Sequence, residues 1–320
     1  MRILVLGAAG QVGFELARSL AGLGRVLTAD RLVDADAGVA LAIDIGDLST
    51  LRQRVDELAP NVIVNAAAYT AVDQAEDEPE AADRVNHEAM HVLAQLAAAS
   101  GALLVHYSTD YVFGGDGDAP YREDQPPAPR SVYGRTKLAG EQALAQSGCA
   151  YLLLRTAWVY AARGRNFLLT MLRAAAQRDE LSVVDDQIGS PTTARFLADT
   201  TATLVRRWLH TPAPERAQLQ GACHVVADGQ VSWCGFAREI IGRAHALGLL
   251  PRATPVRAIS SAEYPARAQR PAYSVLNTER LRSQFAVMPP PWQVGLEHTL
   301  LEIAQARRSL AGAGFEVKRC

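Results

Sequence analysis

Cysteine, aromatic side chains and net charge are all scarce in this 320-residue chain. Its four cysteines, Cys149, Cys223, Cys234 and Cys320, lack the short spacing of metal ligands and predict structural thiols in a reduced, cytoplasmic protein. The formal net charge of −2 provides no basic surface for nucleic acid or for an anionic membrane. We therefore predict neither kind of partner.

Long apolar runs are missing as well. No stretch reaches the ~20 residues that a membrane-spanning helix needs. Residues 1–6 enter an apolar strand directly, without the pattern of a cleaved signal peptide. With 49% hydrophobic and 21% charged residues, the composition is typical of a globular protein with a full core.

Strand and helix patterns alternate through the first half of the chain. Apolar runs at 2–6, 25–29, 41–43, 62–65, 103–108 and 151–154 have the length of buried strands. Helical patterns separate them, one following the cap residue Asp47 to about Leu58 and another over 80–99 ending before Gly101. The alternation predicts an α/β fold with a Rossmann-like, doubly wound parallel sheet.

The pattern loosens after about residue 160. Helices are predicted over 166–177, 195–209 and 236–247, with a strand at 181–184 and a proline-containing linker at 211–214. We predict an NAD(P)-binding Rossmann domain over 1–160. Residues 161–320 should form mainly a smaller C-terminal substrate-binding lobe, with some segments returning to the first domain.

A glycine-rich loop follows the first strand. Gly7, Gly10 and Gly13 lie between an apolar run and a helical pattern that begins at Val12. Glycines there allow a tight turn and a close backbone approach to a pyrophosphate, which sits at the positive end of the helix. Strand, loop and helix together predict dinucleotide binding, whereas the alternative is an ordinary strand-to-helix turn.

Tyr133 and Lys137 are four residues apart in a helical pattern, so both side chains should lie on one helix face. An ammonium beside a phenol favours the phenolate, and we expect it to lower the tyrosine pKa. A tyrosine tuned in this way exchanges a proton with a carbonyl or alcohol oxygen. The alternative is an aromatic ring packed on a lysine stem.

Polar residues also follow several predicted strands. Asp30 ends the second strand, Asp44 follows the third, and Thr109 and Asp110 follow the fifth. Ligands of open parallel sheets bind at the carboxyl ends of the strands. These residues therefore predict a cofactor and substrate site, although each of them has the alternative role of capping a helix or turn.

The chain resembles the extended short-chain dehydrogenase/reductases, on the residues of six segments: 7–13, 62–73, 106–113, 132–141, 155–160 and 186–192. The resemblance implies reduction of the 4-keto group of dTDP-4-dehydro-L-rhamnose to dTDP-L-rhamnose, with NADPH or NADH as cofactor. It also implies Tyr133 as general acid, Lys137 as its electrostatic partner and Thr109 as the hydroxyl that holds the keto oxygen.

The resemblance assigns two sets of binding residues. Substrate contacts are implied for Thr109, Asp110 and Trp158. Cofactor contacts are implied for Gly7, Gly10, Gln11, Val12, Gly13, Asp30, Asp44, Ile45, Ala68, Tyr69, Thr70, Tyr107, Tyr133 and Lys137. Asp30 should favour NADH by repelling a 2′-phosphate, whereas the adjacent Arg31 could attract one and admit NADPH.

The sequence departs from the family pattern at two places. Ala157 stands where the family usually has a hydroxyl residue. Some members bind magnesium through glutamates at a dimer interface; Glu15 could take part, but Arg195 stands where an acid is expected, so we predict no metal site. A homodimer remains possible.

Two alternatives stay open at this stage. A non-catalytic, nucleotide-binding regulatory subunit would keep the fold without turnover, but the intact Thr109, Tyr133 and Lys137 argue against it. A reductase, epimerase or dehydratase of another nucleotide sugar is the second. A dehydratase would need a pair of acids, whereas this chain offers only Asp110 beside Thr109.

Overall fold

A seven-stranded, all-parallel sheet forms the centre of the protein, whose structure, a computed structural model, describes residues 1–312. The strand order is β11-β6-β5-β4-β1-β2-β3, and the order reverses between β1 and β4, which creates a crevice at their carboxyl ends. This confirms the predicted fold class. The strands of this sheet are β1 (Arg2–Leu6), β2 (Arg25–Asp30), β3 (Leu41–Ala42), β4 (Val62–Asn65), β5 (Leu103–Thr109), β6 (Ala150–Thr156) and β11 (Gly221–His224).

Helices cover both faces of the sheet, which explains why its strands are apolar without alternation. Ile3 and Val5 face α1 and α8, whereas Leu4 and Leu6 face α2 and α5. The helices are α1 (Gln11–Ser19), α2 (Leu48–Leu58), α3 (Val72–Ala75), α4 (Pro79–Asp83), α5 (Ala89–Ser100), α6 (Val132–Gln146), α7 (Phe167–Gln177), α8 (Ala194–His210), α9 (Trp233–Ala246), α10 (Glu279–Phe285) and α11 (Trp292–Gly312).

A second core lies between α7, α9 and α11, around Leu168, Phe236 and Leu296. Three small two-stranded sheets accompany it, made from β7 (Val159–Tyr160), β8 (Leu181–Val184), β9 (Ile188–Gly189), β10 (Thr192–Thr193), β12 (Val231–Ser232) and β13 (Val256–Ile259). The domain boundary near residue 160 stays a prediction.

The chain returns from this second core to the central sheet. The backbone N–H of Ala268 donates to Asp73 at 3.0 Å, and the Arg270 guanidinium pairs with the same carboxylate at 2.6 Å. Further along, Tyr273 N donates to the carbonyl of Gly115 at 3.1 Å. We call residues 268–277 the return segment.

The structure differs from the predicted elements at several places. The single helix predicted over 80–99 is α4 and α5 joined by a π-helical turn at Arg84–Glu88. The strand predicted over 41–43 ends one residue early, and the predicted linker at 211–214 leads into a 3₁₀ helix, Ala213–Leu219. The long α11 was not predicted. Neither were the two-residue strands β7, β9, β10 and β12, because such short pairings leave no periodic pattern.

The thiols of Cys149, Cys223 and Cys234 are buried and unpaired, as predicted, whereas Cys320 lies outside the described residues. Within residues 1–312, no helix combines the length and the apolar character needed to cross a bilayer.

Candidate active site

A cavity of about 810 Å³ runs along the carboxyl ends of the central strands. Its size and position are those expected of a dinucleotide site in an open parallel sheet. Thirteen of the predicted cofactor residues line it: Gly7, Gly10, Gln11, Val12, Asp30, Asp44, Ile45, Ala68, Tyr69, Thr70, Tyr107, Tyr133 and Lys137.

The glycine loop forms one end of this cavity. Gly7 has a positive φ of 79°, and a Cβ there would lie 2.6 Å from the backbone nitrogen of Ala67. A Cβ on Gly13 would collide with the carbonyl of Gly7, which explains why Gly13 supports the loop without lining the cavity. Gly10 caps α1 without a side-chain hydrogen bond, which leaves the first N–H groups of the helix for a ligand. The loop therefore fits the pyrophosphate of a dinucleotide.

Asp30 is held by the loop itself. Its Oδ2 accepts from Ala9 N at 2.9 Å and its Oδ1 from Arg31 N at 2.8 Å, and both Asp30 and Arg31 line the cavity. Asp44 similarly accepts from Gly46 N at 2.8 Å. The turn-capping alternative is thus realised for both carboxylates, while their contacts with a cofactor stay predictions.

Tyr133 is positioned by the first turn of α6. Ser131 caps this helix by accepting from Gly134 N at 3.1 Å. Gly134 must be small because a Cβ there would collide with the carbonyl of Tyr111. The close approach brings the Tyr111 ring edge-on to the Tyr133 ring, with centroids 5.7 Å apart and an interplanar angle of 76°. Packing of α6 against residues 110–112 therefore fixes the phenol.

Lys137 is almost completely buried one turn further along. Its ammonium donates to the carbonyl of Tyr107 at 2.6 Å and lies 3.1 Å from Nε2 of His106. Burial lowers the pKa of Lys137 to about 8, with the charge of Glu141 opposing the shift. Burial therefore makes the charge on Lys137 easier to lose than that of an exposed lysine.

The expected lowering of the Tyr133 pKa is wrong for the cofactor-free protein. Burial raises the pKa of Tyr133 to about 12, against a smaller opposing effect of its hydrogen bond with Thr109. The physical reason is that the buried phenolate would lose its hydration. The Lys137 ammonium does not offset this loss, because it donates hydrogen bonds to the Tyr107 carbonyl and to His106. Tyr133 is thus held in its protonated form.

Thr109 ends β5 beside Tyr133, and Asp110 begins the 3₁₀ turn that follows. The Thr109 hydroxyl donates to Asp110 Oδ1 at 2.9 Å and accepts from Tyr111 N at 3.1 Å. Burial raises the pKa of Asp110 to about 6, and its Oδ2 has no hydrogen-bond partner within the described part of the chain. Neither residue lines the cofactor cavity, and their contacts with a substrate stay predictions.

Trp158 lies just beyond β6 in a left-handed backbone conformation, with φ +49°. Its indole stacks face to face on Trp233, with centroids 3.4 Å apart and the rings within 3° of parallel. Gly189 also approaches this indole so closely that a Cβ would overlap it. Trp158 therefore packs against its own chain, and the predicted substrate contact stays a prediction.

Sequence reasoning gave no role to three polar residues that line the cavity, namely Gln74, Thr156 and Arg165. Ser108 and Thr156 line it with buried hydroxyls that have no partner among the described residues, and Arg165 reaches it from the loop after β7. Thr156 ends β6 next to Thr109 of β5, so the rule that identified Thr109 could have found it. Arg165 carries no such signal.

Glu15 and Arg195 form a direct ion pair at 3.3 Å, and Arg195 pairs with Glu302 at 3.1 Å. In residues 1–312, no three His, Cys, Asp or Glu side chains group into a metal site. The predicted lack of a metal at Glu15 stays a prediction.

The parallel sheet, the glycine loop and the pairing of a half-buried Tyr133 with a buried Lys137 on one helix define a Rossmann-fold reductase of the extended short-chain dehydrogenase type. A family model, described as RmlD substrate binding domain, matches residues 1–305. The chain belongs to this family.

Known relatives match over nearly their whole lengths. A dTDP-4-dehydrorhamnose reductase of Burkholderia thailandensis is 48% identical over 92% of this chain and 97% of its own. The corresponding protein of Escherichia coli K12 is 43% identical over 95% and 98%. A crystal structure of the Bacillus anthracis dTDP-4-dehydrorhamnose reductase in complex with NADP is 35% identical, with a TM-score of 0.81 over 94% of this chain and 99% of that chain.

Proposed function

We propose that this protein reduces the 4-keto group of dTDP-4-dehydro-L-rhamnose to give dTDP-L-rhamnose, with NADPH or NADH as the reductant. The observation that carries the proposal is that Tyr133 and Lys137 line a dinucleotide-sized cavity, with the Thr109 hydroxyl beside Tyr133. The names of relatives at 43% and 48% identity support the choice of substrate.

The side chains divide the chemistry between them. A bound nicotinamide supplies hydride to C4 of the sugar. Tyr133, kept protonated by burial, donates its phenolic proton to the keto oxygen as that oxygen becomes an alcohol. The Lys137 ammonium stabilises the phenolate left behind. The Thr109 hydroxyl holds the oxygen in line with Tyr133, and Asp110 and Trp158 are proposed to contact the sugar.

Tyr133→Phe tests this assignment, because it removes only the proton donor. With NADPH and dTDP-4-dehydro-L-rhamnose, the variant should bind cofactor normally and lose about 10²- to 10⁴-fold in kcat, the usual contribution of a general acid. Tyr151→Phe, on β6 and outside the cavity lining, is the matched control and should keep full activity. Near-normal turnover by folded Tyr133→Phe would remove Tyr133 from the mechanism.

The regulatory-subunit alternative gives a different result in the same assay. A wild-type chain that binds NADPH but turns over no nucleotide 4-keto sugar would support it and end the reductase proposal. We also propose a cytoplasmic protein, because NADPH and nucleotide sugars are cytoplasmic metabolites, and a homodimer that sedimentation equilibrium can test.

A further inference from the structure

A buried histidine lies directly behind the catalytic lysine. His106 is on β5, and its side chain is 1% exposed. Its Nε2 is 3.1 Å from the Lys137 ammonium, and its Nδ1 is 3.4 Å from the side-chain amide nitrogen of Asn65. His106 does not line the cavity, so it does not reach a cofactor bound there.

The protonation state of His106 follows from its surroundings. Burial, and then the neighbouring Lys137 ammonium, lower the pKa of His106 well below its usual value. The imidazole is therefore neutral and has one nitrogen free to accept a hydrogen bond. Since the ammonium can only donate, Nε2 is its acceptor and the ring proton is on Nδ1. A hydrogen bond with the Asn65 backbone, which opposes the lowering of the His106 pKa, fits this proton. The 3.4 Å approach of the Asn65 amide nitrogen is then a contact between two donors and not a hydrogen bond.

The ammonium is thus held by two acceptors on one strand. Of its three N–H groups, one donates to the carbonyl of Tyr107 and one to His106. Because the three are arranged tetrahedrally, fixing two of them fixes the direction of the third. Lys137 lines the cavity, so its third N–H is the one available to donate a hydrogen bond into the cavity.

We propose that His106 is a positioning residue of this reductase: its Nε2 holds the Lys137 ammonium so that one N–H is directed into the cavity. The effect of His106 on catalysis rests on the proposed function. Its effect on the Lys137 pKa, through an acceptor that stabilises the charged lysine, can be measured without turnover.

His106→Leu and His106→Gln separate this role from packing. Leucine removes the acceptor, whereas the Gln Oε1 can reach the position of Nε2. Loss of a hydrogen bond to a charged group should lower the Lys137 pKa by roughly one to two pH units. The other groups that act on the ammonium, namely the Tyr107 carbonyl and Glu141 with its partner Arg155, are unchanged.

The first measurement is the titration of Lys137 in the cofactor-free protein, followed through its ¹³Cε chemical shift. We expect a midpoint near pH 8 for wild type and His106→Gln, and a lower midpoint for His106→Leu. His224→Gln is the matched control, since His224 is fully buried with Nδ1 3.1 Å from the Asn277 carbonyl, away from the cavity. It should lower the melting temperature without moving the Lys137 midpoint.

The second measurement is the pH dependence of kcat/KM. The reaction needs the charged lysine, so activity should fall as the pH rises through the Lys137 pKa, and this limb should move to lower pH in His106→Leu. An unmoved Lys137 midpoint in folded His106→Leu, or in His106→Phe if the leucine variant does not fold, would overturn the inference. An inactive wild type with the expected midpoints would reject the proposed function and leave the lysine contact intact.

Discussion

At the scale of single residues, Asp30 combines two tasks in one carboxylate. Its oxygens hold the amides of Ala9 and Arg31, so it shapes the glycine loop, and in our proposal it also faces the ribose of the cofactor. Arg31 carries the opposite charge at the same end of the cavity. The preference between NADH and NADPH depends on the balance between these two charges.

Asp30→Ala should therefore raise kcat/KM for NADPH relative to NADH by about tenfold, the effect of removing roughly 1.4 kcal/mol of repulsion from a 2′-phosphate. Asp30→Asn is the control, because it keeps an acceptor for a loop amide and loses only the charge. Equal changes in both variants would assign the effect to charge. An unchanged cofactor ratio in both would show that Asp30 does not face the 2′ position.

The residues that carry the chemistry were predictable from the sequence, but the direction of the Tyr133 pKa shift was not. The spacing of Tyr133 and Lys137 predicted a shared helix face, and the two side chains do line one cavity. The direction of the Tyr133 pKa was wrong because burial depends on packing against Tyr111 and β5, which the local sequence does not encode. His106 escaped notice for the same reason, since its partner is 31 residues away.

At the scale of elements, the π-helical turn at Arg84–Glu88 connects the helix packing to the cavity. It presents Asn86, whose amide accepts from Tyr69 N at 2.9 Å and donates to Tyr69 O at 3.2 Å. The same turn packs on α6, where a Cβ on Gly140 would collide with the carbonyl of Asn86. Such turns are frequent at functional sites, and this one supports a residue that lines the cavity.

Gly140→Ala should consequently destabilise the protein by about 1–3 kcal/mol, the usual effect of overpacking. Gly242→Ala is the control, because Gly242 is also helical but its Cβ would meet open space. That change should be neutral or stabilise by about 0.4–1 kcal/mol. Urea unfolding of both variants measures the difference, and equal stabilities would contradict the close approach of α6 to the π turn.

Elements with strong local patterns were predictable, and those made by distant pairing were not. Apolar runs and caps such as Asp47 and Gly101 predicted the central strands and the helices beside them. The π turn depends on Gly140, more than fifty residues further along the chain. The local pattern over 80–99 therefore predicted one continuous helix.

At the scale of the whole molecule, Trp158 joins the end of β6 to α9 through its stack on Trp233. If the indole also covers the sugar, Trp158→Leu should raise KM for the dTDP-sugar by about 5- to 150-fold, or roughly 1–3 kcal/mol. Cofactor affinity should stay nearly unchanged.

Trp208→Leu provides the comparison, since Trp208 is buried in the core on the α8 side of the sheet, outside the cavity lining. It should lower the melting temperature with KM unaltered. If Trp158→Leu behaves in the same way, Trp158 only packs. Both affinities and the melting temperature should be measured on one preparation of each variant.

The late position of β11 in the chain has a consequence for synthesis on the ribosome. Every residue that lines the cofactor cavity is translated by residue 165, yet β6 gains its outer neighbour only when residues 221–224 emerge. Until then β6 is an open edge that can pair with another nascent chain. The return segment, which pairs with Asp73, emerges later still. The growing polypeptide is most exposed to aggregation, and most in need of a chaperone, between the synthesis of residue 165 and the emergence of β11 and the return segment.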